Sequence, residues 1–180
     1  MKVLLISITA IMLFSCSSMV FAQSGQGAKS LGNKSSRLDR PVAIIVPAEG
    51  HLADDSGKLY KSIALECISG KPDGISYGSP DNHLNVAVNS PVNIDVSVDK
   101  HTPVRFSAIR KENKSFPDGM MSRADDTHNT LVLIHNLESV KKIIQVHVTN
   151  PVNGKTEAFT LKPKGMKGMI KEFHSFCEFR

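Results

Sequence analysis

The stretch 158–179, Ala-Phe-Thr-Leu-Lys-Pro-Lys-Gly-Met-Lys-Gly-Met-Ile-Lys-Glu-Phe-His-Ser-Phe-Cys-Glu-Phe, constrains this chain more than any other. It reads as a strand end, a turn, an amphipathic helix and a cysteine at the helix end. Met166, Met169, Ile170, Phe173 and Phe176 recur at helical spacing and form one apolar stripe, while Lys164, Lys167, Lys171, Glu172 and Ser175 fall elsewhere. A helix this short is marginal in water, so the stripe needs an apolar surface to lie on. Upstream the chain offers alternating strands, one of which carries Cys67.

The N-terminus sets the compartment. Residues 1–22 open with Lys2, run through an apolar core from Val3 to Phe14, and end with Val20 and Ala22 at the −3 and −1 positions of a cleavage site. This pattern is that of a secretory signal peptide, too short for a spanning helix of roughly 20 apolar residues. Leu13-Phe14-Ser15-Cys16 approximates a lipoprotein cleavage box, so a lipid anchor at Cys16 is the alternative to a soluble periplasmic or secreted form. Without the leader, Cys67 and Cys177 remain, and two thiols in an oxidising compartment are expected to pair. That bridge would pin the C-terminal helix to the first core strand.

Residues 23–40 are rich in Gly, Ser, Lys and Asn and are expected to form a flexible arm, with one β-rich domain over 41–180. Pro41 to Pro47, an apolar run bracketed by prolines, suits an edge strand. Ile63, Leu65 and Cys67 alternate on one strand face, and 69–82, with Gly70, Pro72, Gly74, Gly78 and Pro80, reads as a long turn-rich connection. Leu84, Val86 and Val88 alternate as a strand; so do Val92, Ile94, Val96 and Val98, then Val104, Phe106 and Ala108. The polar stretch 111–129 reads as the least ordered internal segment, Leu131 to His135 as a strand, and 137–142 as a single helical turn. Ile144, Val146 and Val148 share the inward face of the next strand, and Asn153-Gly154 predicts a type I′ hairpin turn into 156–161. The fold class is therefore mostly β: a β-sandwich or strongly bent antiparallel sheet, capped by the C-terminal amphipathic helix.

Chemistry is hard to find in these residues. The chain has seven histidines, but no His-x-His, His-Glu-x-x-His or Cys-x-x-Cys unit forces two ligands onto one metal. His128 follows Asp125-Asp126, and His135 and His147 fall on neighbouring predicted strands; all three read as solvated surface residues. The carboxylate pairs Asp54-Asp55 and Asp125-Asp126 lie in predicted polar loops and read as hydrated. No Gly-x-Ser-x-Gly elbow occurs, and Cys177 beside His174 is accounted for by the bridge rather than by a nucleophile. The sequence thus assigns no catalytic residue, no metal ligand and no cofactor. A net charge of +5 without long basic runs, and the absence of Trp, argue against nucleic-acid binding.

From Leu65-Glu66-Cys67 to Cys177-Glu178-Phe179 the chain resembles periplasmic accessory proteins associated with bacterial type VI secretion. In that family a strand bearing Leu-x-Cys starts the domain, a β-rich middle follows, and the chain closes with Phe-x-Leu, an amphipathic helix and Cys followed two residues later by an aromatic. The corresponding residues here are Leu65-Glu66-Cys67, Phe159-Thr160-Leu161 and Cys177-Glu178-Phe179, with Met120-Met121 and Phe179 where the family tends to carry Trp. A similar ending occurs in the invasion-associated proteins of Gram-negative bacteria, which are secreted β-sandwiches. The first resemblance implies an exported, non-enzymatic accessory component of a secretion system that binds another envelope protein or the cell wall. The second implies a secreted surface or host-directed virulence factor; a metal-dependent hydrolase is the remaining alternative. The loops expected at 69–82 and 111–129 are the partner surface this reading nominates.

Overall fold

The structure, a computed structural model, describes residues 61–112 and 118–177 in full and the backbone of two strands before them, β1 (Lys29–Leu31) and β2 (Val42–Pro47). Seven strands follow: β3 (Ser62–Ile68), β4 (Lys71–Ser79), β5 (Pro91–Val98), β6 (Val104–Lys111), β7 (Met120–Asp125), β8 (Ile144–Thr149) and β9 (Thr156–Leu161). Helix α1 (Thr127–Glu138) lies between β7 and β8, and α2 (Met166–Phe176) closes the described chain. The strands form one antiparallel sheet in the order β1-β2-β3-β4-β7-β6-β5-β8-β9. The leader, Cys16 and the Asp54-Asp55 pair lie outside the described residues.

The sheet is strongly bent, and two aromatic rings show it. Tyr77 on β4 and Phe159 on β9 stack with ring centroids 5.9 Å apart, although five strand spacings separate β4 from β9. In a flat sheet those spacings, at about 4.8 Å each, would hold the strands some 24 Å apart. The alternation read from the sequence therefore turns inward onto itself: Ile63, Leu65, Ile75, Tyr77, Val92, Ile94, Val96, Phe106, Val146 and Val148 are buried in one cluster. The convex face carries Arg105, Ser107, Gln145 and His147, all exposed.

Both helices cover the buried face. Along α1, Thr130, Leu133, Ile134 and Leu137 recur at helical spacing and are buried, while Asp126 caps the N-terminus by accepting from the Asn129 amide at 3.0 Å. Helix α2 buries Met166, Met169, Ile170 and Phe173, the stripe read from the sequence, with Phe176 at its margin. It follows edge strand β9 in the chain yet touches β1 and β2 at the opposite edge, so it spans the opening of the bent sheet. At its end Cys177 is joined to Cys67 on β3, with sulfurs 2.03 Å and Cα atoms 5.9 Å apart. The bond closes a loop of 110 residues, which in the chain-entropy account stabilises the fold by about 4 to 5 kcal/mol.

Several local expectations are corrected. The segment 69–82 is not a loop: Ser69 and Gly70, with φ of 51° and 76°, form a two-residue turn from β3 into β4. The segment 111–129 contains β7 and the start of α1, and β7 pairs directly with β4. Most of the described part of the nominated partner surface is thus two adjacent strands inside the sheet. Leu84 to Val88 is no strand but part of an irregular connection whose Leu84 and Val86 are buried. Leu131 to His135 is helical, lying within α1. In the β8–β9 connection only Gly154 has a positive φ, at 72°, so the hairpin is present but its turn is longer than type I′. Lys29–Leu31, within the expected arm, pairs with β2, which places β1 rather than β2 at the edge.

Two devices hold these elements in register. Asp99, at φ 48° in the β5–β6 turn, accepts from the successive amides of Lys141, Lys142 and Ile143 at 2.7 to 2.9 Å and ties that turn to the α1–β8 connection. Those backbone amides hold its carboxyl below the usual carboxylate range. At Gly74, next to a register shift in the β3–β4 pairing, β4 approaches β7 so closely that an added Cβ would lie 1.9 Å from the Ala124 carbonyl oxygen. At Gly78 the nearest atom to such a Cβ is the Ser62 hydroxyl, at 3.4 Å. Gly74→Ala is therefore expected to destabilise the protein by about 1 to 3 kcal/mol in urea unfolding, with Gly78→Ala affected far less. Equal midpoints for the two variants would refute the close approach.

Candidate functional site

The most built-up polar site lies where the 80–90 connection meets the end of β6 and the β8–β9 hairpin. Because Leu84 and Val86 are buried, the connection is drawn onto the core and its backbone polar groups need partners close by. Asparagines supply them. The Asn82 side chain accepts from the Val86 amide at 3.0 Å and donates to the Val86 carbonyl at 2.9 Å. Asn150, only 3% exposed, donates to the carbonyls of Leu84 and Asn85, and Asn153 donates to Leu84 at 3.0 Å. Asn85 and Asn89 adopt left-handed φ values of 51° and 64°, a conformation this residue type tolerates better than most.

Arg110, half-buried near the end of β6, completes the clamp by donating through Nη1 to the Val86 carbonyl and through Nη2 to the Gly119 carbonyl at 3.3 Å. From the hairpin, Lys155 Nζ reaches the side-chain oxygen of Asn85 at 2.7 Å when that amide is turned so that its nitrogen donates to the Asn82 carbonyl. Together Asn82, His83, Asn85, Arg110, Asp118 and Lys155 line an open cavity of about 620 Å³, within the range of small-molecule sites. His83 is exposed and pairs with Asp81 at 3.0 Å.

A second polar cluster sits where the bend brings its strands together. Tyr77, fully buried, donates to Glu157 Oε1, and Lys61 Nζ lies 2.5 Å from Oε2 of the same carboxylate. Burial, then the Glu157 hydrogen bond and charge, push the Tyr77 phenol far above its usual pKa, so it stays protonated and works as a donor. On the convex face Arg123 pairs with Glu66, Asp73 and Asp125, and Arg105 holds Asp95 through two hydrogen bonds of 2.7 and 3.0 Å.

The histidines and carboxylates singled out from sequence are dispersed. Asp126 is a helix cap, Asp125 belongs to the Arg123 network, and His128 is exposed on α1. His135 and His147 are not on neighbouring strands: His135 projects from α1 near Glu138, while His147 is on the convex side of β8. His174 meets Glu138 at 2.7 Å and joins the two helices. Among the described residues no group of three or more His, Cys, Asp or Glu side chains is arranged to hold a metal ion, and no helix is long and apolar enough to cross a membrane. Of the cavity-lining residues, Asn82 and Asp118 fall inside the segments 69–82 and 111–129 nominated from sequence, and His83, Asn85, Arg110 and Lys155 do not; the signal that could have pointed to the site is the density of asparagines at 82, 85, 89, 150 and 153.

Fold and site together define a bent antiparallel sheet, stapled to its terminal helix, with a polar cavity at one end. In comparisons with family models, curated proteins and solved structures, nothing matches this chain.

The Tyr77 donor gives a pH test. A phenol whose pKa is raised on folding contributes stability that is present below the unfolded value, about 10, and is lost as pH rises above it. Tyr77→Phe is expected to be less stable than the parent at pH 7, with the gap narrowing above about pH 10. A gap independent of pH would contradict the role given to this hydroxyl.

Proposed function

We propose that this is an exported envelope protein that acts by binding, without chemistry of its own, as an accessory component of a type VI-like secretion system. The observation that carries the export reading is the Cys67–Cys177 bond, a bridge typical of oxidising compartments and compatible with the leader-like N-terminus. The binding reading is supported by the cavity at the end of the sheet, an irregular connection held rigid by side-chain amides. The secretion assignment rests on the sequence resemblance carried by Leu65-Glu66-Cys67, Phe159-Thr160-Leu161 and Cys177-Glu178-Phe179. Its partner is another envelope protein or a component of the cell wall.

Expression of the full chain in a Gram-negative bacterium, followed by fractionation and thiol labelling, tests export. Recovery outside the cytoplasm, with Cys67 and Cys177 labelled only after reduction, is expected; a reduced, cytoplasmic protein would overturn it. Cross-linking in cells that carry a type VI apparatus should then recover one of its envelope components. Stoichiometric zinc or manganese in the purified protein would contradict the non-enzymatic reading.

A further inference from the structure

The described arginines are used in two different ways. Arg105 and Arg123 both pair with carboxylates on the convex face, and Lys61 pairs with Glu157 at the bend. Arg110 has no carboxylate partner among the described residues: two of its nitrogens donate to main-chain carbonyls, and its buried Nε has no acceptor. Lys155 bonds an amide oxygen and likewise pairs with no carboxylate among the described residues. Two cations from separate elements, β6 and the β8–β9 hairpin, thus converge on one cavity without neutralising partners. The single carboxylate in the lining is Asp118, exposed on the rim.

Main-chain carbonyls and side-chain amides orient a cation but leave its charge largely unbalanced, so the cavity favours a negative group. Its lining is polar throughout, and its one ring is the exposed His83 imidazole, paired with Asp81, so it offers no apolar floor. Asp118 repels a bare anion but can accept from a donor carried next to it. We propose that this cavity binds a polar ligand presenting an oxyanion, a carboxylate or a phosphate, with a hydrogen-bond donor beside it. The chain terminus of a peptide, with its carboxylate and adjacent amide N–H, has this chemistry, as does a phosphate ester with a neighbouring hydroxyl. Lys155 is the side chain best placed to make the direct ionic contact, because Arg110 is already fixed by two carbonyls and acts chiefly through its charge.

The inference deepens the binding reading and can fail separately from it. The full mature chain is titrated at low ionic strength, with amide shifts followed by NMR, against three probes: N-acetyl-alanyl-alanine, the same dipeptide as its C-terminal amide, and inorganic phosphate. Saturable shifts at Asn82, His83, Asn85 and Gly119 are expected for the dipeptide acid and none for its amide. A response to phosphate stronger than to the acid would identify the phosphate source instead. Lys155→Met is expected to weaken the preferred probe about tenfold, as for a lost hydrogen bond to a charged group, and Lys155→Arg to restore much of it. Raising the salt concentration should weaken binding as well. Arg110→Lys keeps the charge but risks the clamp, so its spectrum is compared with the parent before it is scored. No saturable shift with any probe, or equal binding by the parent and Lys155→Met, overturns the proposal. If such a protein is still cross-linked to an envelope component, the broader binding reading survives.

Discussion

The contact of Tyr77 with Phe159 and Glu157 is where the far strands of the sheet meet, and the rest of the architecture follows from it. A sheet that remained open would leave the inward faces of β5, β6 and β8 under only two helices. Because it bends until β4 meets β9, those faces bury one another and the helices have only the remaining opening to cover. The bend brings a carboxylate with it, and Glu157 is tolerated there because Tyr77 and Lys61 occupy both of its oxygens. The disulfide acts on the other side of the opening, fixing the far end of α2 to β3.

The cavity is a by-product of how the end of this bent sheet is finished. The connection from β4 to β5 has no strand partner for most of its length, yet it carries two buried apolar residues and must satisfy its backbone. Short amide side chains do this by reproducing main-chain hydrogen bonds, and Asn82 does so in both directions with Val86. Arg110 adds a second donor to the Val86 carbonyl and takes the Gly119 carbonyl as well. A charge used in this structural way remains a charge, so among the described residues Arg110 lacks the carboxylate partners that Arg105 and Arg123 have on the convex face.

Much of the sheet was legible in the sequence because period-2 alternation survives wherever one face is buried: β3, β5, β6 and β8 all follow it, and the stripe of α2 follows the helical period. The errors have physical causes. In β4, Pro72, Gly74 and Gly78 are the residues of a turn, but the register shift beside Gly74 and its close approach to β7 give this glycine a place inside a strand. Helix α1 mixes three leucines with Thr, Val, Ile, His and Asn, residues of lower helix propensity, so Leu131 to His135 reads as a strand in the sequence, and tertiary burial of Leu133, Ile134 and Leu137 decides for a helix. Conversely, Leu84 and Val86 alternate as a strand would but are buried by an irregular connection. The cavity was illegible because its residues come from 82–85, 110, 118 and 155, and only the bend and its pairings bring them together.

The bend is also the claim most directly open to measurement. In a spectrum of the folded protein with the rings of Tyr77 and Phe159 assigned, nuclear Overhauser contacts between them are expected, together with a slowly exchanging Tyr77 hydroxyl proton. Resolved rings with no contact between them would mean that β9 does not return to β4, and both the closed core and the position of the cavity would have to be abandoned.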